Sequence, residues 1–252
     1  MRLGVIGVGH LAGAILKGLI RAGHAPEDIL LSPRGQGPAL ARRDGFSLAA
    51  DNAALVQACD TVLLAVRPAD AAGALAGLPW RDGQIVLSAC AGVSLAQVAG
   101  PASPAEVVRI MPITAAELGA SPTLIHPYRE AVAPLLGGIG SLITLDSEDQ
   151  FEAATVSAAI YGWAQSLIQH GAHWSADAGM DDDAARQLVA RTFVAAGRMV
   201  AEQEAPMPEI LAGLCTPGGI TEAGLRHLDG EGVPEAWRGA CDVVLNKLRG
   251  GQ

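Results

Sequence analysis

A short loop near the C-terminus combines residue types that can bind an anion. It runs Leu-Cys-Thr-Pro-Gly-Gly-Ile-Thr over 214–221, in a region otherwise rich in Ala and Leu at helical spacing. Pro217 removes a backbone donor and fixes φ, whereas Gly218 and Gly219 permit positive φ and close approach to the backbone. Thr221 is expected to be the N-cap of the next helix, whose first N–H groups can hold a carboxylate or phosphate. The pattern fits either a plain helix–helix turn or an anion site.

The N-terminus carries a second pattern of this kind, the run Gly7-Val8-Gly9-His10-Leu11-Ala12. It has the GxGxxA form, directly after an apolar strand and at the start of a helix. Gly7 allows a tight turn, Gly9 lets a pyrophosphate approach the backbone, and Ala12 permits close packing of helix on strand. The alternative is a glycine-rich turn without a ligand. The flanking strand and helix favour a dinucleotide site, with the phosphates at the helix start.

The residues after the second strand favour NADP(H) over NAD(H). An NAD site usually carries an acidic residue about 20 positions beyond the glycines, for the ribose hydroxyls. Here the strand ends Leu-Leu-Ser-Pro-Arg-Gly, with Ser32 and Arg34 in that place and Arg42 and Arg43 one helix further on. A serine can donate to a phosphate and an arginine can pair with it bidentately. The alternative is that Arg34 is a solvated loop residue.

Two later strand ends extend the predicted cofactor cleft. They are Ala65-Val66-Arg67-Pro68 and Ala89-Cys90-Ala91-Gly92. Ligands in open α/β sheets lie beyond the carboxyl ends of the strands, so small residues there would let the nicotinamide half lie against backbone. Cys90 has no basic neighbour in the sequence and is expected to be a buried structural thiol rather than a nucleophile.

The elements around these patterns define an α/β first half and a helical second half. Strands are expected at 3–9, 28–32, 61–66, 84–89 and 106–111, with further candidates at 123–126 and 141–145. Helices are expected between them at 10–22, 36–43, 52–58, 69–77 and 94–99. Strand–helix alternation with nearly continuous apolar strands predicts a parallel sheet covered on both faces. Only helical, Ala-rich stretches follow, at 148–175, 181–204, 207–214, 221–229 and 234–249. The boundary is placed at residue 146, giving domains 1–146 and 147–252.

Composition excludes several classes of partner. The 252 residues carry a net charge of −9 and only two lysines, which argues against nucleic acid and against a basic membrane-binding patch. Four widely spaced cysteines without a CxxC motif are typical of reduced thiols in a cytoplasmic protein. The N-terminal apolar run is too short and glycine-broken for a signal peptide. The uncharged stretch 153–176 is long enough to span a bilayer, but its Gln and His residues favour a buried or interface helix.

Other polar groups are better explained by structure than by chemistry. His170 and His173 lie three apart on a helix without an evident third ligand, so no metal site is predicted. Asp181-Asp182-Asp183 suits the first turn of a helix, where acidic residues interact favourably with the dipole. Glu117 could be an acid but is expected at the surface. Tyr161 and Trp163 could line a pocket or simply pack.

Several of these stretches together resemble the pyrroline-5-carboxylate reductase family, over nearly the whole chain and in order. The similar stretches are GVGHLAGAI, SPR, Asn52, AVRP, SACAGVSL, VRIMP and LCTPGGIT, the last being the most specific. The resemblance implies a Rossmann domain followed by an all-α domain that forms a homodimer or a higher homo-oligomer, with each site using both subunits. It also implies NADPH as cofactor and an imine carboxylate as substrate.

Carried over residue by residue, the resemblance assigns roles to positions of this chain. Gly218 and Gly219 would supply an amide cradle, Thr216 a hydroxyl to the substrate carboxylate, and Thr221 a hydroxyl near the imine nitrogen. The expected cofactor-binding residues are Gly7, Gly9, His10, Leu11, Ser32, Arg34, Asn52, Ala65, Arg67, Pro68, Ala91 and Gly92. The expected reaction is NADPH-dependent reduction of a cyclic imine carboxylate, pyrroline-5-carboxylate to proline.

Two departures from the family pattern leave other functions open. The family's Asn after Met-Pro is Ile113 here, and its Ser-Gly-Ser-Gly-Pro-Ala-Tyr segment is replaced by Ala-Ala-Ile-Tyr-Gly-Trp-Ala at 158–164. A reductase for a different imine or oxo acid on the same scaffold is therefore one alternative, and a non-catalytic nucleotide-binding regulator is another. Because Lys247 is the only lysine beyond the first half, an alcohol–ketone couple that needs a proton donor is less favoured than an imine.

Overall fold

Eight strands pair side by side into one sheet. The computed structural model describes residues 2–250, and the strand order is β3-β2-β1-β4-β5-β6-β7-β8. The strands are β1 (Leu3–Ile6), β2 (Ile29–Leu31), β3 (Ser47–Leu48), β4 (Thr61–Leu64), β5 (Ile85–Ser88), β6 (Glu106–Met111), β7 (Thr123–His126) and β8 (Leu142–Thr144). All neighbours pair in parallel except β6 with β7, which are antiparallel. The first six strands follow the order of a dinucleotide-binding sheet.

Helices cover both faces of this sheet. They are α1 (His10–Arg21), α2 (Gly37–Asp44), α3 (Asn52–Ala58), α4 (Ala71–Leu75), α5 (Leu95–Ala102), α6 (Ala133–Gly137) and α7 (Glu148–Ala154). Two buried apolar clusters result. One contains Val5, Leu16 and Ile110, and the other contains Leu55, Val62 and Val98. Strands β1 and β4 are buried at every position, because each of their faces is covered by helices.

Five helices follow, and the described residues between Ser157 and Leu248 form no strand. They are α8 (Ser157–Asp177), α9 (Asp182–Glu202), α10 (Met207–Gly213), α11 (Ile220–Gly230) and α12 (Val233–Leu248). Within 159–244 the described residues bury few side chains, and large apolar groups such as Trp174, Val194 and Met199 are exposed by 73%, 62% and 57%. Such a surface on a folded region indicates that another protein surface covers it.

The chain divides into two compact units. The sheet unit contains the residues up to Ala158 together with those from Leu245 onward, and the helical unit contains 159–244. Phe151 of α7 explains why the division falls beyond this helix, since its side chain is fully buried against Met111 and Leu124. The boundary placed at residue 146 from the sequence stays a prediction.

The expected Rossmann-type sheet and the all-helical second half are confirmed. All seven expected strands are present to within a few residues, and the two uncertain ones became β7 and β8. The two-residue strand β3 and the short helix α6 were missed, since neither is long enough to show a periodic pattern.

One expected helix is in fact two. The stretch 148–175 is interrupted after Ala154, where the hydroxyl of buried Thr155 donates to the carbonyl of Phe151 over 2.8 Å. A threonine that bonds back to the preceding turn bends or interrupts a helix. Throughout the described part of the chain, no helix combines the length and the apolar character that crossing a membrane would require.

Candidate active site

The turn between β1 and α1 is built from backbone in close contact with backbone. Gly7 has a φ of +92°, and a Cβ atom there would lie 2.6 Å from the carbonyl carbon of Ala65 at the end of β4. Gly9 is the N-cap of α1 and has open space where its side chain would project. Ala12 is fully buried. The turn therefore leaves the start of α1 uncovered at Gly9, with its first N–H groups free of helical partners.

His10 and Leu11 form the first turn of α1 in the positions expected from the glycine pattern. His10 is exposed, whereas Leu11 is partly buried against the core of the sheet unit. The exposed His10 and the open side of Gly9 leave this face of the turn accessible to a ligand.

The loop after β2 packs back onto the glycine turn. The N–H of Gln36 donates to the carbonyl of Val8 over 3.0 Å, and a Cβ at Gly37 would overlap the carbonyl of Ser32. The Ser32 hydroxyl is buried and donates to Asn52 Oδ1 over 2.8 Å. The structure thus brings together two of the predicted cofactor-binding residues, Ser32 at the end of β2 and Asn52 at the start of α3.

A cleft of about 580 Å³ opens beside these residues. Arg34, Asn52 and Ala53 are among the groups that line it, and Arg34 is exposed. Asp51 also lines it and was missed from the sequence, although an Asp before a helical run is a standard N-cap signal. Its carboxylate accepts the N–H of Ala54 over 2.7 Å, so it is engaged in capping α3.

The segments after β4 and β5 lie next to each other. Cys90 is 2% exposed, and its thiol contacts the carbonyl of Val66 at 3.4 Å. Burial raises the pKa of this thiol above its ordinary value. A protonated, buried thiol is not a nucleophile, so the expectation of a structural cysteine is confirmed. Arg67 and Pro68 are exposed, and Arg67 pairs with Asp70 over 2.9 Å.

The predicted cofactor residues Ala91 and Gly92 lie in the loop between β5 and α5. Gly92 has a φ of +68°, and a Cβ there would meet the carbonyl oxygen of Leu248 at 2.9 Å. The last turn of α12, which belongs to the sheet unit, therefore packs directly on this loop. Only glycine fits both the left-handed conformation and the space.

In the helical unit, the loop before α11 is a tight turn. The N–H of Gly219 donates to the carbonyl of Thr216 over 2.8 Å, with Pro217 and Gly218 between them. Gly218 has a φ of +75°, as the third residue of a type II turn requires. Gly219 leaves no room for a side chain, since a Cβ there would lie 2.7 Å from Thr216 Oγ1.

Two expectations for this loop need correction. The N-cap of α11 is Gly219 and not Thr221, because the helix begins at Ile220, one residue earlier than expected. The N–H of Gly219 is also engaged inside the turn, so Gly219 contributes space rather than a free donor. The first N–H groups of α11, those of Ile220 and Thr221, have no partner within the helix.

Glu222 is the functional candidate that the sequence did not suggest. Its Oε2 accepts the N–H of Gly218 over 2.6 Å, and its Oε1 accepts from Arg226 over 2.9 Å. A carboxylate of the chain itself thus occupies a backbone donor of the predicted anion site. An acidic residue two places into a helix, shortly after a Gly-Gly turn, is the signal that could have found it.

The remaining candidates have structural explanations. Trp163 packs edge-on against Trp237 with ring centroids 5.3 Å apart, within the helical unit. Asp181 is the N-cap of α9 and accepts the N–H of Ala184 over 3.0 Å, as expected for a helix start. Glu117 pairs with Lys17 over 2.9 Å at the surface.

These features define a class of protein, a dinucleotide-binding α/β unit joined to a helical unit with an exposed apolar surface. Two family models match the chain. One, described as pyrroline-5-carboxylate reductase dimerisation, matches residues 148–250. The other, described as coenzyme F420-dependent NADP oxidoreductase, matches residues 2–92.

Curated relatives cover nearly the whole chain. Pyrroline-5-carboxylate reductase 1 of Bacillus spizizenii is 29% identical over 251 residues, which cover 93% of this chain and 84% of that protein. The enzyme of the same name from Corynebacterium melassecola is 28% identical and covers 97% and 96%. The chain is thus similar to pyrroline-5-carboxylate reductases over nearly its whole length, and its helical half matches the dimerisation model of that family.

Solved structures show the same fold. A 1-pyrroline-5-carboxylate reductase from Streptococcus pyogenes is similar with a TM-score of 0.87 and 25% identity, covering 99% of this chain and 98% of that one. The pyrroline carboxylate reductase of Plasmodium falciparum, solved with NADP bound, also has a TM-score of 0.87, at 19% identity and coverage of 99% and 97%. The helical unit lies within the residues that match the dimerisation model. Its exposed apolar side chains are therefore explained as the surface that is covered in a homo-oligomer.

The glycine turn gives a prediction with a matched control. Gly7→Ala should weaken NADPH binding at least about tenfold, because alanine at this φ costs about 1–2 kcal/mol and its Cβ would strike the Ala65 carbonyl. Gly13→Ala, in the middle of α1 with open space around it, should leave affinity within about twofold and stabilise the helix. Fluorescence titration with NADPH measures both. Equal affinities for the two variants would contradict the assignment of the turn.

Proposed function

We propose that this protein is an NADPH-dependent reductase of a cyclic imine carboxylate and that it converts pyrroline-5-carboxylate to proline. The observation that carries the proposal is the turn at 216–219 followed by the start of α11. There a backbone N–H already binds a carboxylate oxygen, that of Glu222, over 2.6 Å. The match to an NADP oxidoreductase model and the glycine turn of the sheet unit support the cofactor half of the proposal.

Reduction of a protonated imine does not require a strong general acid or base from the protein. A cyclic imine protonated on nitrogen is an electrophile at carbon, and the bound NADPH would supply a hydride to that carbon. The product amine then already carries its proton. The residues of the chain bind and orient the substrate, so that the imine carbon is held in a reactive geometry. A strongly tuned catalytic pKa is therefore not required.

The loop residues divide the work of holding the substrate. The carboxylate is bound by the N–H groups of Gly218, Ile220 and Thr221, with the Thr216 hydroxyl as a further donor. Gly219 provides the room for this approach, since its own N–H is engaged. The Thr221 hydroxyl is assigned to the imine nitrogen, as a hydrogen-bond partner or through one water.

The cofactor is NADP(H), bound by the loops of the sheet unit. Gly9, His10 and Leu11 would hold the pyrophosphate at the start of α1. Exposed Arg34 would provide a guanidinium donor at the end of β2, where a 2′-phosphate needs one. Buried Ser32 donates to Asn52 and so holds this second residue of the cleft in place. The backbone at Ala65–Pro68 and at Ala91–Gly92 would hold the nicotinamide half.

The proposed working state is a homodimer or a higher homo-oligomer in the cytoplasm. The oligomer is supported by the dimerisation model and by the exposed apolar side chains of the helical unit. Among the described residues all four cysteines are free, which agrees with a reducing compartment.

A second candidate is a reductase of a larger or differently substituted imine. The observation in its favour is the replacement of the family's small residues at 158–164, where Ile160, Tyr161 and Trp163 now stand. Trp163 packs against Trp237, so at least one of these bulky groups serves to pack helices together.

A direct assay decides between the two. Purified protein should oxidise NADPH on addition of pyrroline-5-carboxylate and form proline in equal amount, and turnover should fall with six-membered cyclic imine carboxylates. Faster turnover with the larger imines would favour the second candidate. NADPH binding without turnover on any imine of the panel would contradict both and favour a non-catalytic regulator.

Arg34 should set the preference for the phosphorylated cofactor. Arg34→Ala is expected to weaken NADPH binding about 10- to 100-fold, the effect of losing a hydrogen bond to a charged group, and to change NADH binding little. Arg21→Ala, which removes the same charge from the far end of α1, is the control. Equal losses for NADPH and NADH would show that Arg34 does not contact the 2′-phosphate.

Glu222 should compete with the substrate for the Gly218 N–H. Glu222→Ala is expected to lower KM for the imine carboxylate about 2- to 10-fold with kcat little changed, because one hydrogen bond no longer has to be displaced. Glu231→Ala removes the same charge at the opposite end of α11 and should leave KM unchanged. A rise in KM for Glu222→Ala would mean that its carboxylate supports the site instead of occupying it.

A further inference from the structure

One arginine is fully buried in the sheet unit and is bound from a single helix. Arg109 lies on β6 and is 1% exposed. Its Nη1 donates to Glu148 Oε1 over 2.9 Å, its Nη2 donates to Glu152 Oε2 over 2.6 Å, and its guanidinium stacks 4.5 Å above the ring of Phe151. All three partners belong to α7. A buried charge persists only when it is paired in this manner.

The two carboxylates of this cluster are not equivalent. Glu148 Oε1 also accepts the backbone N–H of Leu95, the first residue of α5, over 2.6 Å. Glu152 has no such bond, and its second oxygen, Oε1, is buried without a partner among the described residues. One positive guanidinium faces two negative carboxylates, which leaves one negative charge in excess. The partial positive charge at the start of α5 offsets part of this excess, because Glu148 binds the Leu95 N–H there.

The Leu95 N–H lies at the end of the loop that carries two of the proposed cofactor residues. The loop, residues 89–94, leaves β5 at Ser88 and ends where α5 begins. Its middle, at Gly92, is in contact with the Leu248 backbone. Its end is held by Glu148 and by the Gln97 side chain, which accepts the N–H of Ser94 over 2.7 Å.

We propose that Glu148 is a positioning residue that holds the 89–94 loop in the conformation that binds the nicotinamide end of the cofactor. This proposal rests on the proposed function for the identity of the ligand. Glu148 acts through the backbone of Leu95 and does not touch the cofactor itself. Buried Arg109 fixes the carboxylate in place, and the carboxylate in turn fixes where α5 begins. A shift in the start of α5 would also displace Ala91 and Gly92, which lie only four and three residues before Leu95.

The matched pair Glu148→Ala and Glu152→Ala separates positioning from simple stability. Each variant removes one carboxylate from the same arginine, but only the first releases the Leu95 N–H. Both should lower the urea midpoint. Only Glu148→Ala should speed amide exchange of the 89–97 segment about tenfold in cofactor-free protein. Only this variant should also raise the Kd for NADPH about tenfold, whereas Glu152→Ala stays within about twofold.

Glu148→Gln provides the rescue arm. It keeps an oxygen for the Leu95 N–H and should recover most of the NADPH affinity. If Glu148→Ala fails to fold, Glu148→Asp replaces it, because the shorter side chain keeps a carboxylate near Arg109 but draws it away from the Leu95 N–H. Equal changes in loop exchange and in NADPH affinity for the Glu148 and Glu152 variants would overturn the proposal. So would unchanged affinity in Glu148→Ala.

The exchange measurement needs no cofactor, so it keeps the two proposals apart. Wild-type protein that binds no NADPH would overturn the proposed function and, with it, the nicotinamide role of the loop. Faster loop exchange confined to the Glu148 variant would still establish that this carboxylate holds the loop.

Discussion

Close contact of backbone with backbone at the carboxyl edge of the sheet is the constraint on which the rest of the proposed cofactor site depends. Gly7 meets the carbonyl of Ala65, Gly37 meets that of Ser32, and Gly92 meets that of Leu248. At each place a Cβ atom would collide with main chain, which cannot rotate away as a side chain can. Gly7 therefore lets the turn after β1 lie against the end of β4, Gly37 lets the loop after β2 close on itself, and Gly92 lets the loop after β5 lie against the end of α12. Such turns can present backbone N–H groups to a ligand. A phosphate-rich ligand needs such donors.

The sequence was a good guide wherever a pattern repeats over several residues. The strands are apolar over their whole length because both faces of the sheet are covered, so they could be located to within a few residues. The turn at residues 7–12 was also located, since its glycines directly follow an apolar strand. The hydrogen bond between Ser32 and Asn52 was not predicted, because it depends on how the end of β2 meets the start of α3. The two-residue β3 has no pattern to detect. The break after Ala154 lies beside a threonine hydroxyl that bonds back to the preceding turn, and no periodicity reveals such a bond.

The two carboxylate contacts that the sequence did not predict have a common physical cause. Glu222 and Glu148 each bind a backbone N–H at or beside the start of a helix, one at Gly218 and one at Leu95. Both carboxylates were overlooked because an acidic residue near a helix start is ordinary in sequence, and its partner is decided by the three-dimensional path of the chain. The helix start at Ile220 rather than Thr221 is of the same kind, because Gly219 could act as cap as well as any hydroxyl.

Residues from Leu245 onward belong to the sheet unit, and this affects the order in which the chain folds during synthesis. Residues from Leu245 onward pack with the first 158, and Leu248 supplies the main-chain neighbour of Gly92. During synthesis the strands emerge first, and the helices of 159–244 must be completed before that neighbour leaves the ribosome. A newly made chain therefore assembles most of its sheet early. The loop at Gly92 acquires its Leu248 neighbour only after the helices of 159–244 have been made.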